Sequence, residues 1–92
     1  MKVTVKYYGH LKHQLGSKES YSFPSEGQPY LLSDIMDGIV KRKGNVFADL
    51  VYCSGEFHPH ISVILNGNVV QDARTEIAQD CLLLFIPFVE GG

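Results

Sequence analysis

The residues best suited to chemistry lie in LLLFIPFVEGG, residues 82–92, where an apolar run meets Pro87 and the sequence then reads through to Gly91 and Gly92. A terminal carboxylate on Gly92, of pKa ~3.5, is ionised at neutral pH and is a poor acyl donor until it is activated. Because neither glycine has a side chain, such an end enters a channel too narrow for a Cβ. The chemistry open to it is acyl transfer after activation. Phe88 and Val89 lie past the proline and fit a partner contact better than a core position, since exposed apolar anchors mark interfaces. Ile86 and Pro87 form the root of the same contact, with Ile86 also able to close the core.

Other reactive side chains do not assemble into a site. His10 and His13, or His58, His60 and Cys53, lack the four-ligand spacing of a structural zinc site, so no metal is expected. Two cysteines, Cys53 and Cys81, are too few for an iron–sulfur cluster and read as free thiols, Cys81 as a core residue. There is no nucleophile and base pair and no glycine-rich phosphate loop, so the chain is expected to be a non-catalytic protein without a cofactor. A net charge of −2 with interspersed signs offers no basic stripe for nucleic acid. No stretch approaches the roughly 20 apolar residues of a membrane span. The opening MKVTVKYYGH alternates and is unlike a secretory leader, so the expected address is cytoplasmic.

The elements that must position the tail can be read from periodicity. Val3, Val5 and Tyr7 alternate with polar residues as in a half-buried strand. Leu11 and Leu15, closed by Gly16, fit a single helical turn, and Tyr21 and Phe23 alternate with serines in a second strand near an edge. Leu32, Ile35, Met36, Ile39 and Val40 recur at helical spacing, with Asp34 early, Lys41, Arg42 and Lys43 late, and Gly44 after them. This main helix lacks a Ser or Asp cap. Phe47, Leu50 and Val51 suggest a short helix in an insertion over residues 45–60. Asn66-Gly67 between apolar runs predicts a tight hairpin. The unalternating run Cys81 to Ile86 predicts a central strand buried on both faces, with Pro87 ending its pairing. Such a strand pairs in parallel with the first, the main helix supplying the crossover. The expected fold is one α+β domain over residues 1–92, a mixed sheet of four to five strands with one main helix on one face. Its core is expected to join Val3, Val5, Ile35, Ile39, Val63, Leu65, Leu82 and Leu84. Residues 87–92 form an extended tail, in which the five residues after Pro87 reach roughly 17 Å.

With those segments in view, the sequence resembles the ubiquitin-like sulfur carriers of β-grasp fold, and among them the MoaD-type small subunit of molybdopterin synthase. KVTVKYYGHLKHQLG, ILNGNVV and DCLLLFIPFVEGG carry the likeness, the last most specifically. Phe88 stands where the family has a second proline, and Gln79 where it commonly has glycine. The resemblance implies that Gly92 is adenylated by an ATP-dependent activating enzyme and thiocarboxylated with sulfur from a donor protein. It also implies insertion of the tail, through Gly91, into the large synthase subunit. A thiamin-pathway carrier and a modifier joined to lysines through Gly92 use the same activated carboxylate and remain open alternatives.

Overall fold

The computed structural model describes residues 1–24 and 27–88; Val89, Gly91 and Gly92 of the expected tail lie outside the described residues. The alternating start folds as β1, Lys2–Tyr7, with Val3, Val5 and Tyr7 buried. Helix α1, His10–Leu15, buries Leu11 and Leu15. It returns the chain to β2, Lys18–Ser22, antiparallel to β1 at the sheet edge. After the short β3, Tyr30–Leu31, the main helix α2 covers Leu32–Lys43 and buries Leu32, Ile35, Met36 and Ile39.

The absence of a capping side chain before α2 is answered by tertiary structure. Asp34 accepts a hydrogen bond from the Leu31 N–H at 3.0 Å. The Leu32 and Ser33 N–H groups donate to the carbonyls of Thr75 and Ala73 at 2.8 and 2.7 Å. A loop far along the chain thus satisfies donors that a helix start leaves unpaired. At the other end Gly44 has φ 82° and its N–H donates to Val40 O, so the terminus falls where glycine can adopt a left-handed backbone.

The insertion forms structure of its own and supplies core. Helix α3, Asn45–Leu50, buries Phe47, and a small hairpin follows: β4, Tyr52–Cys53, and β5, Glu56–Phe57. Phe47 meets the rings of Tyr7 and Phe85 edge-on, at centroid separations of 6.5 and 5.7 Å, while Val51 and Tyr52 are also buried. Strand β6, Ile61–Leu65, then turns through Asn66 and Gly67, at φ 49° and 88°, into β7, Asn68–Val70. Both central residues have the positive φ that the Asn-Gly hairpin signal requires. Strand β8, Glu76–Ile77, pairs with β3, and β9, Cys81–Pro87, closes the chain's main sheet in the order β2-β1-β9-β6-β7.

Strand β9 is central and parallel to β1, as its apolar run predicts, but it is not buried on both faces. Cys81, Leu83 and Phe85 face the helices and are buried; Leu82, Leu84 and Ile86 lie on the opposite face and are half-buried. The expected core membership of Leu82 and Leu84 is therefore corrected to Leu83 and Phe85. Register decides this: Val5 pairs with Leu83 and Tyr7 with Phe85, so each shares the inward face of its β1 neighbour. Leu65 is half-buried and packs against the core from its margin.

One polar cluster ties α2 to the edge strand. Glu19 accepts hydrogen bonds from the Tyr21 hydroxyl at 2.5 Å and, more weakly, from the Tyr7 hydroxyl at 3.4 Å. Its other carboxylate oxygen pairs with the Lys43 ammonium, which also donates to Leu15 O at 2.7 Å. Burial, followed by the neighbouring Tyr21 and Glu19, pushes the Tyr7 phenol well above its ordinary range. Burial and the bond to Glu19 do the same to Tyr21. A phenol whose folded pKa exceeds the unfolded value of about 10 contributes stability that is full below pH ~10 and is lost as pH rises above it. Urea midpoints should accordingly fall between pH 9 and pH 11. A Tyr7→Phe/Tyr21→Phe variant should lose part of that dependence; an identical slope in the variant would remove these phenols as the cause.

Candidate functional site

The site is the exit of β9 and the surfaces beside it. Ile86 pairs with Ser62 on the outer face of the sheet, and Pro87 pairs with Ile61. Pairing does not stop at Pro87, as the sequence suggests: the Phe88 N–H donates to His60 O at 2.8 Å, carrying the strand contact one residue past the proline. The missing donor of Pro87 falls at a position where the β6 ladder continues on either side of it. Pro87 thus belongs to β9.

The direction of exit is set by a close approach. Gly9 has φ 59°, and a Cβ there would lie 2.8 Å from Pro87 Cγ. The neighbouring Tyr8 N–H donates to Phe85 O at 3.1 Å, so the β1 end and the β9 end are stitched together at this point. Only a residue without a side chain allows both the positive φ and the contact with the proline ring.

Phe88 is 57% exposed. It lines a groove of about 210 Å³ together with Phe57, His58, Val69, Val70 and Gln71. The insertion therefore builds one wall of the groove beside the tail's root, a role that nothing in its sequence signals. Of the residues expected to carry the tail's function, Ile86, Pro87 and Phe88 come together here, while Val89, Gly91 and Gly92 lie outside the described residues. A Phe88→Asp variant is expected to keep its melting temperature within about 2–4 °C, because an exposed substitution changes stability little. Its binding to a tail-accepting partner, measured by calorimetry, should weaken at least about tenfold if Phe88 anchors that contact. A large drop in melting temperature would instead place the ring in the core.

The outer face of the sheet is a second feature that sequence reading missed. Leu82, Leu84 and Ile86 of β9 share it with Ser62 and Ile64 of β6, Val69 of β7, and Thr4 and Lys6 of β1. Among the described residues no helix packs on it, and Val69 is 64% exposed. In an unbroken apolar run, only the register shows which residues face outwards.

The remaining candidates stay apart from this site. Cys53 is exposed on the β4–β5 hairpin, and Cys81 is buried and free, its thiol pKa raised by burial and by nearby Asp80. A thiol so held is a packing group and a poor nucleophile. Among the described residues no group of three or more His, Cys, Asp or Glu side chains is arranged to hold a metal. Nor is any described helix long and apolar enough to cross a membrane.

No protein-family model and no curated protein sequence matches the chain. Solved structures do. SAMP1 from Haloferax volcanii superposes with a TM-score of 0.78 at 22% identity, covering 100% of both chains. A Pyrococcus furiosus protein described as molybdopterin converting factor subunit 1 gives 0.72 at 24%, covering 97% of this chain and 99% of its own. A chain of the Amycolatopsis orientalis BexX/CysO complex gives 0.69 at 26%, covering 98% and 99%. With a parallel β1–β9 pair at the centre of the mixed sheet and α2 laid across one face, the chain has the ubiquitin-like β-grasp fold.

Proposed function

We propose that the protein is a sulfur carrier that acts through Gly92 as the small, non-catalytic subunit of a cytoplasmic molybdopterin synthase, supplying sulfur for molybdenum or tungsten cofactor biosynthesis. The observation that carries this reading is the central strand: β9 is held by β1 as far as Phe85 and by β6 as far as the Phe88–His60 bond, and the Gly-Gly end follows within four residues. An end launched from the middle of a sheet is aimed by rigid structure, which suits delivery into another protein's active site. Gly91 gives that end access. In the activation step a Gly92 carboxylate oxygen attacks the α-phosphorus of ATP and pyrophosphate leaves. A hydrosulfide equivalent from a sulfur donor protein then attacks the acyl-adenylate carbonyl and displaces AMP, leaving the thiocarboxylate. The large synthase subunit would receive the tail, with Ile86, Pro87, Phe88 and Val89 at the contact.

Intact-protein mass spectrometry, after incubation with an activating enzyme, ATP and a sulfur donor, tests this directly. The expected result is replacement of one oxygen by sulfur at Gly92; an unmodified chain, beside a carrier that is modified in the same mixture, would exclude it. The likeness in fold to small archaeal modifier proteins favours one second reading, conjugation of Gly92 to lysines. Isopeptide-linked Gly92 on other proteins would select that reading instead.

A further inference from the structure

The turn between β6 and β7 does more than reverse the chain. At φ 49° Asn66 has left the strand conformation, yet its N–H donates to Leu82 O at 2.9 Å and its Oδ1 accepts from the Leu82 N–H at 2.9 Å. Leu65 and Leu83 are the last paired residues at this end of the β6–β9 ladder, so the side-chain carbonyl of Asn66 stands in for a backbone carbonyl at the next position. Because the Leu82 N–H is a donor, the amide of Asn66 is held with its oxygen turned to β9. Both turn residues are nonetheless exposed, and a Cβ at Gly67 would meet nothing within 4 Å. An asparagine before an unshielded glycine nitrogen is the chemical setting of deamidation. The chain's other asparagines, Asn45 and Asn68, both precede valine, whose branched side chain crowds the nitrogen that would attack.

We infer that Asn66 is a deamidation site held closed by its two hydrogen bonds to Leu82, and that it reacts when the turn parts from β9. In the open turn hydroxide takes the Gly67 amide proton, and the nitrogen attacks Asn66 Cγ. A bond forms between them, the bond from Cγ to the side-chain nitrogen breaks, and ammonia leaves with a proton from water. Water then opens the cyclic imide at either carbonyl, giving aspartate or isoaspartate. The folded turn opposes ring closure in two ways. Closure draws Cγ round to the Gly67 nitrogen, so the bond from Leu82 to Oδ1 must break. The five-membered ring also fixes ψ of Asn66 far from the value that a two-residue turn with two positive φ angles needs. The two products differ in what they restore. Aspartate still presents a side-chain oxygen to the Leu82 N–H. Isoaspartate carries its backbone through Cβ, which adds a carbon to the turn and takes the acceptor out of register. The start of β9, the strand that leads to the tail, is then held less firmly.

Peptide mapping by mass spectrometry tests this on the full chain, incubated at mildly alkaline pH in buffer and in unfolding urea. A peptide of residues 64–69, treated in both solvents, is the control for local sequence. In buffer the rate at Asn66 is expected to lie at least about tenfold below that of the peptide, and in urea close to it, because a reaction that needs an open turn follows the population of open molecules. Asn45 and Asn68 should stay intact over the same period. The isoaspartate form, separated by ion exchange, should melt below both the parent and an Asn66→Asp variant. Deamidation in buffer as fast as in the peptide, faster change at Asn45 or Asn68 than at Asn66, or an isoaspartate form as stable as the parent would overturn the inference.

Discussion

Deletion of Gly92 should abolish thiocarboxylate formation completely while leaving the fold unchanged. The two halves of this result have separate causes. The inward-facing core of β9 ends at Phe85, and among the described residues the last contact of the strand is the Phe88–His60 hydrogen bond. Removing a residue four positions further on leaves every buried contact and ladder bond of the described residues in place. Under the proposed mechanism, however, the acyl carbon that receives AMP and then sulfur belongs to Gly92. Its loss moves the carboxylate back by one residue, about 3.4 Å. An active site that requires reacting atoms in near-attack geometry does not recover such a displacement. Gly91→Val should fail as well, since a β-branched side chain restricts the backbone and obstructs a narrow channel. Circular dichroism and the melting curve of both variants should match the parent, and intact mass should show no sulfur. A sulfur-bearing deletion variant would remove Gly92 from the chemistry.

The second large effect concerns the core. Phe85→Ala should lower stability by about 3–5 kcal/mol, against a total of roughly 5–15 kcal/mol for a domain. Phe85 is fully buried, stacks on Tyr7 at a centroid separation of 5.7 Å with 22° between the ring planes, and takes the edge of Phe47 at the same distance. Its removal leaves a cavity between β1, β9 and α3 that these rings cannot refill without leaving their own sites. Leu84→Ala on the outer face should cost only about 1 kcal/mol, since a half-buried side chain loses less transfer free energy and opens no cavity. Urea titration of both variants checks the pair of values. A Leu84→Ala cost as large as that of Phe85→Ala would show that the two faces of β9 are assigned the wrong way round.

Much of the architecture was legible from local patterns because each signal had a local cause. Alternation in KVTVKY, helical spacing from Leu32 to Val40, Gly44 after a basic last turn, and Asn66-Gly67 between apolar runs each reflect the backbone geometry of a few neighbouring residues. Placement of the last strand in parallel beside the first also followed, since an unalternating apolar run belongs inside a sheet and a helix was available for the crossover. The tail's residue types by themselves point to acyl chemistry.

Tertiary structure alone decided the rest. In LLLF every residue is apolar, so composition cannot say which of Leu82, Leu83, Leu84 and Phe85 turn inwards; the pairing of Val5 with Leu83 does. Nor could spacing show that the loop carbonyls of Ala73 and Thr75 would cap α2, that Gly9 would lie against Pro87, or that the 45–60 segment would pack Phe47 into the core and bring Phe57 to a groove beside Phe88. Each of these joins residues far apart in the chain. Periodicity records how a residue stands relative to its neighbours in sequence, whereas contact between distant segments is set by strand register and by the packing of one whole element on another.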